Sequence, residues 1–281
     1  MESGRAGTVQ GVYFSPTGST RKIVETVAAG TGLRLLPALD MTTPSQRQTW
    51  SGKNEGDLLV VGVPVYLGTF PSFVLEPIKQ LNGNGYWAVP IAVCGNVRMG
   101  NCLAELCALL QRQGFKIPAA GNFIAQHSFA CDEFPVGRGR PDQKDLKAAA
   151  DFGADVAKRM KGNVHDITSL FGGNMYVRMY VSGRVDAPGF TSLGEGLRPV
   201  IRVSDHDEER CQQCGKCAEA CPTGSISPRT FHIVDETCIR CFACTTVCPT
   251  GVKQKVVHPH EDVSAWFTHR ASERGQPLLF T

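Results

Sequence analysis

The sequence predicts a doubly wound α/β sandwich followed by a small unit organised by cysteines. Three observations carry this. Over the first 160 residues, β-prone runs of strand length alternate with segments of helical periodicity, giving five strands interleaved with helices. Two of those runs are continuously apolar, as strands buried on both faces of a parallel sheet are. Eight of the 12 cysteines are crowded between positions 211 and 248.

The elements follow in order. Thr8–Phe14 is a short β-prone run that ends in Ser15-Pro16-Thr17-Gly18-Ser19-Thr20. From Thr20 to about Ala29, Ile23, Val24 and Val27 fall on one helical face. Leu33–Pro37 reads as a second strand. Asp57–Val63 (with Leu-Leu-Val-Val-Gly-Val) is the third and the most apolar. Phe70–Leu81 reads as a helix opened by Pro71. Tyr86–Cys94 is another buried strand, and Asn101–Gln113 has apolar periodicity at Leu103, Leu106, Ala108 and Leu110. Lys116–Gln126 supplies the fifth strand, and Asp142–Met160 a polar-faced helix. Glycines punctuate residues 164–204 and exclude one long helix there. The β-prone run Asn174–Val181 inside that stretch predicts an ordered connector rather than a flexible linker.

Cys-x-x-Cys-x-x-Cys-x-x-x-Cys-Pro occurs twice, at 211–222 and 238–249. Three thiolates at every third residue of a tight loop can cover one face of an iron–sulfur cube, while the fourth, set back and followed by proline, is aimed elsewhere. Zinc is the alternative, since Cys-x-x-Cys pairs also bind it. Structural zinc usually takes two separated pairs, however, and has no use for a tripod with a remote fourth thiol. The segment resembles a bacterial-type ferredoxin with two 4Fe–4S clusters. The resemblance implies one cluster on Cys211, Cys214, Cys217 and Cys248, and another on Cys238, Cys241, Cys244 and Cys221.

The loop after the first strand opens the first helix, where backbone N–H groups and the helix dipole favour an anion. Ser15, Thr17, Ser19 and Thr20 offer hydroxyls, and Gly18 permits close backbone approach. An ordinary capping turn is the other reading. The fragment from Tyr13 to Lys22 resembles the phosphate loop of flavodoxins, and the likeness extends over roughly residues 8–160. It implies FMN at the switch between the first and third strands. By the same resemblance Pro64, Tyr66, Leu67, Gly68 and Thr69 would cover the flavin ring, with Gly95, Asn96 and Arg98 in a third loop. Arg98 would stabilise a reduced anionic ring; a surface arginine is the alternative. His127, at the end of the fifth strand, either faces the flavin or is a surface or core histidine.

The remaining thiols, Cys94, Cys102, Cys107 and Cys131, are read as reduced. Cys102 and Cys107 lie five apart on a helix and share no face. The net charge of +3 is small, and no basic stripe with interleaved aromatics supports nucleic-acid binding. Arg21-Lys22 and Arg138 with Arg140 are read as solvated surface, and Asp205, Asp207, Glu208 and Glu209 as a solvated lead-in, with partner docking as the alternative. His258, His260 and His269 could bind a metal, but their spacing is loose, and a terminal helix or tail is expected. No apolar run reaches membrane-span length, and the N-terminus does not resemble a secretory signal. A cytoplasmic, anaerobic setting is expected.

The whole chain therefore looks like a flavodoxin–ferredoxin fusion. The expected divisions are 1–163 (FMN-binding, flavodoxin-like), 164–204 (connector), 205–258 (a small α+β two-cluster ferredoxin domain) and 259–281 (tail). The resemblance implies an electron carrier between FMN, two 4Fe–4S clusters and a redox partner protein. Two other readings remain: a flavin-dependent reductase of a small organic molecule, and a ferredoxin with a flavin-free, flavodoxin-shaped domain.

Overall fold

The computed structural model describes residues 7–96, 100–162, 167, 201–204, 207–258 and 261–281. Five parallel strands form the centre: β1 (Thr8–Tyr13), β2 (Arg34–Asp40), β3 (Leu58–Pro64), β4 (Trp87–Cys94) and β5 (Ala120–Ile124). Their order is β2-β1-β3-β4-β5, the flavodoxin-like winding with its switch point between β1 and β3. The apolar runs lie where their composition requires. Leu58–Val63 is wholly buried, whereas β2 is an edge strand with Leu35 exposed, so its Pro37 costs no central ladder bond.

Two apolar layers cover the sheet. On one face α1 (Ser19–Gly30) and α5 (Gln143–Met160) pack Ile23, Val24, Val27, Phe152 and Val156 against Val9, Leu58, Val60 and Ile91. The other face carries α2 (Pro44–Gln48), α3 (Leu75–Lys79) and α4 (Cys102–Arg112). Asp142 caps α5 by accepting from the amides of Lys144 and Asp145, and the Asp145 carboxylate returns to the Asp142 amide at 2.9 Å. The helix expected over 70–81 is shorter. A 3₁₀ turn at Ser72–Val74 precedes α3, which starts at Leu75 so that Pro77 falls in the first turn, where its missing N–H has no intrahelical role. Cys102 and Cys107 are both buried despite lying on different sides of α4, because that helix buries a wide arc.

The cysteine-rich unit holds α6 (Lys216–Glu219) and α7 (Ala243–Val247), with β6 (Ile201–Val203) paired antiparallel to β7 (Lys255–Val257). Its core is shared with the rest of the chain. Ile239, Cys241 and Ala243 belong to the α3/α4 layer, and Phe134 and Val136 of the β5–α5 connection pack with Ile201, Phe242 and Val257.

In the segment 259–281, expected as a terminal helix or tail, residues 261–281 form a helix and a strand that join the sandwich. Helix α8 (Glu261–Ser272) leads to β8 (Leu278–Phe280), which adds antiparallel to the outer edge of β5, with Gly121 opposite Leu279. This return accounts for a second correction. Arg140 is buried rather than solvated: its guanidinium holds Asp145 through Nε at 2.9 Å and Nη2 at 2.5 Å, and Nη1 donates to Gly275 O at 2.9 Å. Of the terminal histidines, His258 and His269 are exposed and His260 lies outside the described residues, as does the run Asn174–Val181. No helix among the described residues is long and apolar enough to cross a membrane.

Candidate functional site

A cavity of about 510 Å³ lies at the carboxyl ends of β1, β3, β4 and β5. The β1 loop contributes Thr17, Ser19 and Thr20. Gly18 itself is the left-handed residue (φ 84°) just before α1, and nothing lies within 4 Å of where a Cβ would be. The amides of Ser19 and Thr20 open the helix and have no acceptor one turn earlier. Together with the hydroxyls they suit a phosphate at that end. Ser15 does not reach the cavity. Its amide donates to Thr42 Oγ1 and its hydroxyl accepts from the Arg21 amide, both at 2.9 Å, so it braces the loop from behind.

The β3 loop contributes Pro64, Tyr66, Leu67 and Gly68. Tyr66 and Thr69 exchange backbone hydrogen bonds of 2.7 and 3.0 Å around Leu67 and Gly68, both at positive φ, as a two-residue hairpin turn requires. Thr69 faces away from the cavity and donates to the buried Glu105 carboxylate of α4, which fixes the loop to that helix. Tyr66 both lines the cavity and packs on the core layer that contains Cys241. Burial pushes its phenol pKa well up, with the Cys241 and Cys238 thiols as lesser causes.

The β4 loop contributes Gly95. Asn96, expected at the flavin, is committed elsewhere. Its Nδ2 donates to Arg270 O (2.9 Å) and Glu273 O (2.7 Å), and its Oδ1 accepts from the Gly275 amide (2.8 Å). Three of its hydrogen bonds thus go to the returning C-terminal segment. Arg98 lies outside the described residues.

Sequence reasoning missed the remaining walls. Ile201 and Ile239 come from the cysteine-rich unit, Phe129 from the β5 loop, and Phe267 and Arg270 from α8. No periodicity or spacing links these residues; only the packing of α8 and the second unit brings them in. His127 also lines the cavity. Its Nδ1 accepts from the Phe129 amide at 3.1 Å, and burial, with Lys255 nearby, lowers its pKa to about 4. The ring is therefore neutral, with its proton on Nε2.

The eight motif cysteines gather in two sets. Cys211, Cys214, Cys217 and Cys248 line one small void, and Cys221, Cys238, Cys241 and Cys244 line another. The two loops share a backbone pattern. Gln213 and Arg240 hold positive φ before the second cysteine, and Gly215 and Phe242 after it. The first set is the more open, with Cys214 exposed, whereas Cys221, Cys241 and Cys244 are buried. Burial pushes the Cys244 thiol up to about 12 and raises Cys241 and Cys238 as well. Thiolates there need a cationic centre to hold them. Arg240, fully buried, pins the second loop through Ile201 O, Cys238 O and both oxygens of Asp235. Two tetrads of soft donors fit iron–sulfur clusters.

Comparison with known proteins bears on both halves. A 4Fe–4S binding domain description matches residues 205–227, and a second description of the same kind matches 235–251. No curated protein matches the chain. Among solved structures, a flavodoxin from the domain Archaea is 15% identical over 55% of this chain and 99% of its own, with a TM-score of 0.40. Oxidised flavodoxin 1 from Bacillus cereus is 14% identical over 54% of this chain and 97% of its own, with a TM-score of 0.41. Rubredoxin oxygen:oxidoreductase from Desulfovibrio gigas is 17% identical, covering 55% of this chain and 36% of that one, at 0.40. The strand order itself makes the N-terminal half flavodoxin-like, and residues 205–251 carry ferredoxin-type 4Fe–4S binding motifs.

Proposed function

We propose that the chain is an iron–sulfur flavoprotein that relays electrons between one FMN and two 4Fe–4S clusters and passes them to a redox partner protein in an anaerobic cytoplasm. The observation that carries this reading is Ile239. It stands in the cavity wall and lies in sequence between Cys238 and Cys241. A flavin in the cavity and a cluster on the second set of thiols would therefore be separated by side-chain contacts only. When bound, FMN exchanges two electrons and each cluster one, which couples a two-electron reagent to one-electron traffic.

The residues of the chain supply position and insulation. Thr17, Ser19 and Thr20 hold the phosphate on the amino end of α1, and Gly18 keeps that approach clear. Tyr66, Leu67, Gly68 and Gly95 would line the ring, and the apolar Phe129, Phe267 and Ile201 would keep water from the cavity. Cys221, Cys238, Cys241 and Cys244 hold the inner cluster; Cys211, Cys214, Cys217 and Cys248 hold the outer one. The exposure of Cys214 favours the outer cluster as the point of exchange with the partner. A reductase acting on a small organic molecule is the second reading, favoured by the neutral His127 N–H and the apolar wall beyond the flavin loops.

The test is anaerobic reconstitution followed by rapid mixing with a one-electron donor. One FMN and two clusters per chain are expected, and the flavin should bleach on the timescale of cluster reduction. A chain that retains clusters but takes up no flavin would refute the relay, as would a flavin that stays oxidised beside reduced clusters of lower potential. Steady turnover of a small acceptor without a partner protein would favour the reductase.

A further inference from the structure

The cavity is walled almost wholly by uncharged groups. Among the described residues Arg270 is its one lining side chain with a formal charge. His127 is neutral, and the raised phenol of Tyr66 stays protonated at neutral pH. Arg270 arrives from α8, and its main-chain oxygen is tied to Asn96 at 2.9 Å. One end of the guanidinium meets Glu273 Oε2 at 2.9 Å, on a carboxylate that is half exposed. The other end differs: Nε is buried and finds no hydrogen-bond acceptor among the described residues. A buried donor without an acceptor is costly, so a ligand acceptor would explain its place.

The sheet fixes where the main chain at Arg270 is anchored. The phosphate loop follows β1, whereas Asn96, which holds Arg270, follows β4. These strands are two places apart in the order β1-β3-β4, so about 10 Å separates the loops at ordinary strand spacing. The main chain at Arg270 is therefore anchored on the β4 side of the cavity, away from the phosphate loop.

We propose that Arg270 sets the potential of the bound FMN by standing beside the part of the ring that becomes negative on reduction. The inference rests on the FMN reading above. Reduction to the singly protonated ring takes up two electrons, delivered one at a time by the clusters, and one proton from solvent, leaving one negative charge. A cation within about 4–6 Å favours that charged form by about tenfold or more. It acts far less on the neutral oxidised ring, so it raises the potential.

Spectroelectrochemistry of the anaerobic full-length holoprotein tests this. Arg270→Gln should lower the flavin midpoint by at least a tenfold equivalent, about 30 mV for a two-electron couple. Arg270→Lys, which keeps the charge, should retain most of the wild-type value. Glu273→Gln, which removes the competing carboxylate outside the cavity, should shift the midpoint upward by less. The preference for FMN over riboflavin should be the same in Arg270→Gln as in wild type. An unchanged midpoint in Arg270→Gln would overturn the proposal, as would an equal drop in Arg270→Lys or loss of the FMN preference, which would make Arg270 a phosphate ligand. Should Arg270→Gln bind no flavin, the sign of the Glu273→Gln shift decides. A wild-type chain that binds no flavin refutes the FMN reading itself, a result distinct from all of these.

Discussion

Asn96→Ala is the sharpest probe of how the cavity is closed. The wild-type side chain is 5% exposed and makes three hydrogen bonds, of 2.9, 2.7 and 2.8 Å, to Arg270 O, Glu273 O and the Gly275 amide. Each such bond contributes roughly 0.5–1.5 kcal/mol net, and truncation leaves three backbone groups without partners. The expected cost is about 2–4 kcal/mol, charged mainly to the local opening of α8 and β8. The segment would loosen rather than detach, because Arg140 still holds Gly275 O and Arg274 still reaches Asp142 at 2.8 Å. Such a change corresponds to about 30-fold to several hundredfold faster amide exchange, at roughly 1.4 kcal/mol per decade. Hydrogen exchange read by mass spectrometry on the peptide covering Leu278–Phe280 measures it, with the β1 and β3 peptides as unchanged references. Exchange within about threefold of wild type would refute the claim that Asn96 clips the C-terminal return. If Asn96 were a flavin contact instead, flavin affinity would fall while exchange at β8 stayed the same.

Further outcomes follow from the same geometry. Gly18→Asp should abolish FMN binding, because it forces a side chain into a left-handed position and sets a carboxylate at the phosphate end; equal FMN content would sink the phosphate-loop assignment. Cys221→Ala should disturb the same EPR signal as Cys241→Ala, and Cys248→Ala the same as Cys214→Ala, since each pair lines one void. If Cys221→Ala and Cys214→Ala affect one common cluster, the crossed ligation is wrong. Serine or alanine at Cys94, Cys102, Cys107 or Cys131 should leave iron content unchanged, and iron loss in any of the four would expose a misassigned ligand.

Local chemistry made much of the fold and site readable. Strands buried on both faces have to be continuously apolar, so Asp57–Val63 and Tyr86–Cys94 announce a parallel sheet. A motif whose thiols are three apart is itself a geometric statement, which is why both cysteine loops were legible. The turn that opens α1 was legible because its glycine and hydroxyl residues are local signals of a helix start. Ser15, Thr69 and Asn96 were misread for one shared reason. Their polar side chains serve either the cavity or the backbone and side chains that hold it, and only the neighbours decide. Thr42, Glu105 and the 270–275 segment decided for the scaffold.

The sequence by itself thus determined the alternation of strands and helices, the two cysteine loops and the turn that opens α1, since each depends on residues close together in the chain. The tertiary structure alone decided that the last 21 residues return to the edge of β5, that Arg140 is buried, and that Phe267 and Arg270 enter the cavity. Those outcomes join residues more than a hundred positions apart. They turn on which surfaces find complementary partners after collapse, and no local periodicity or spacing encodes that choice.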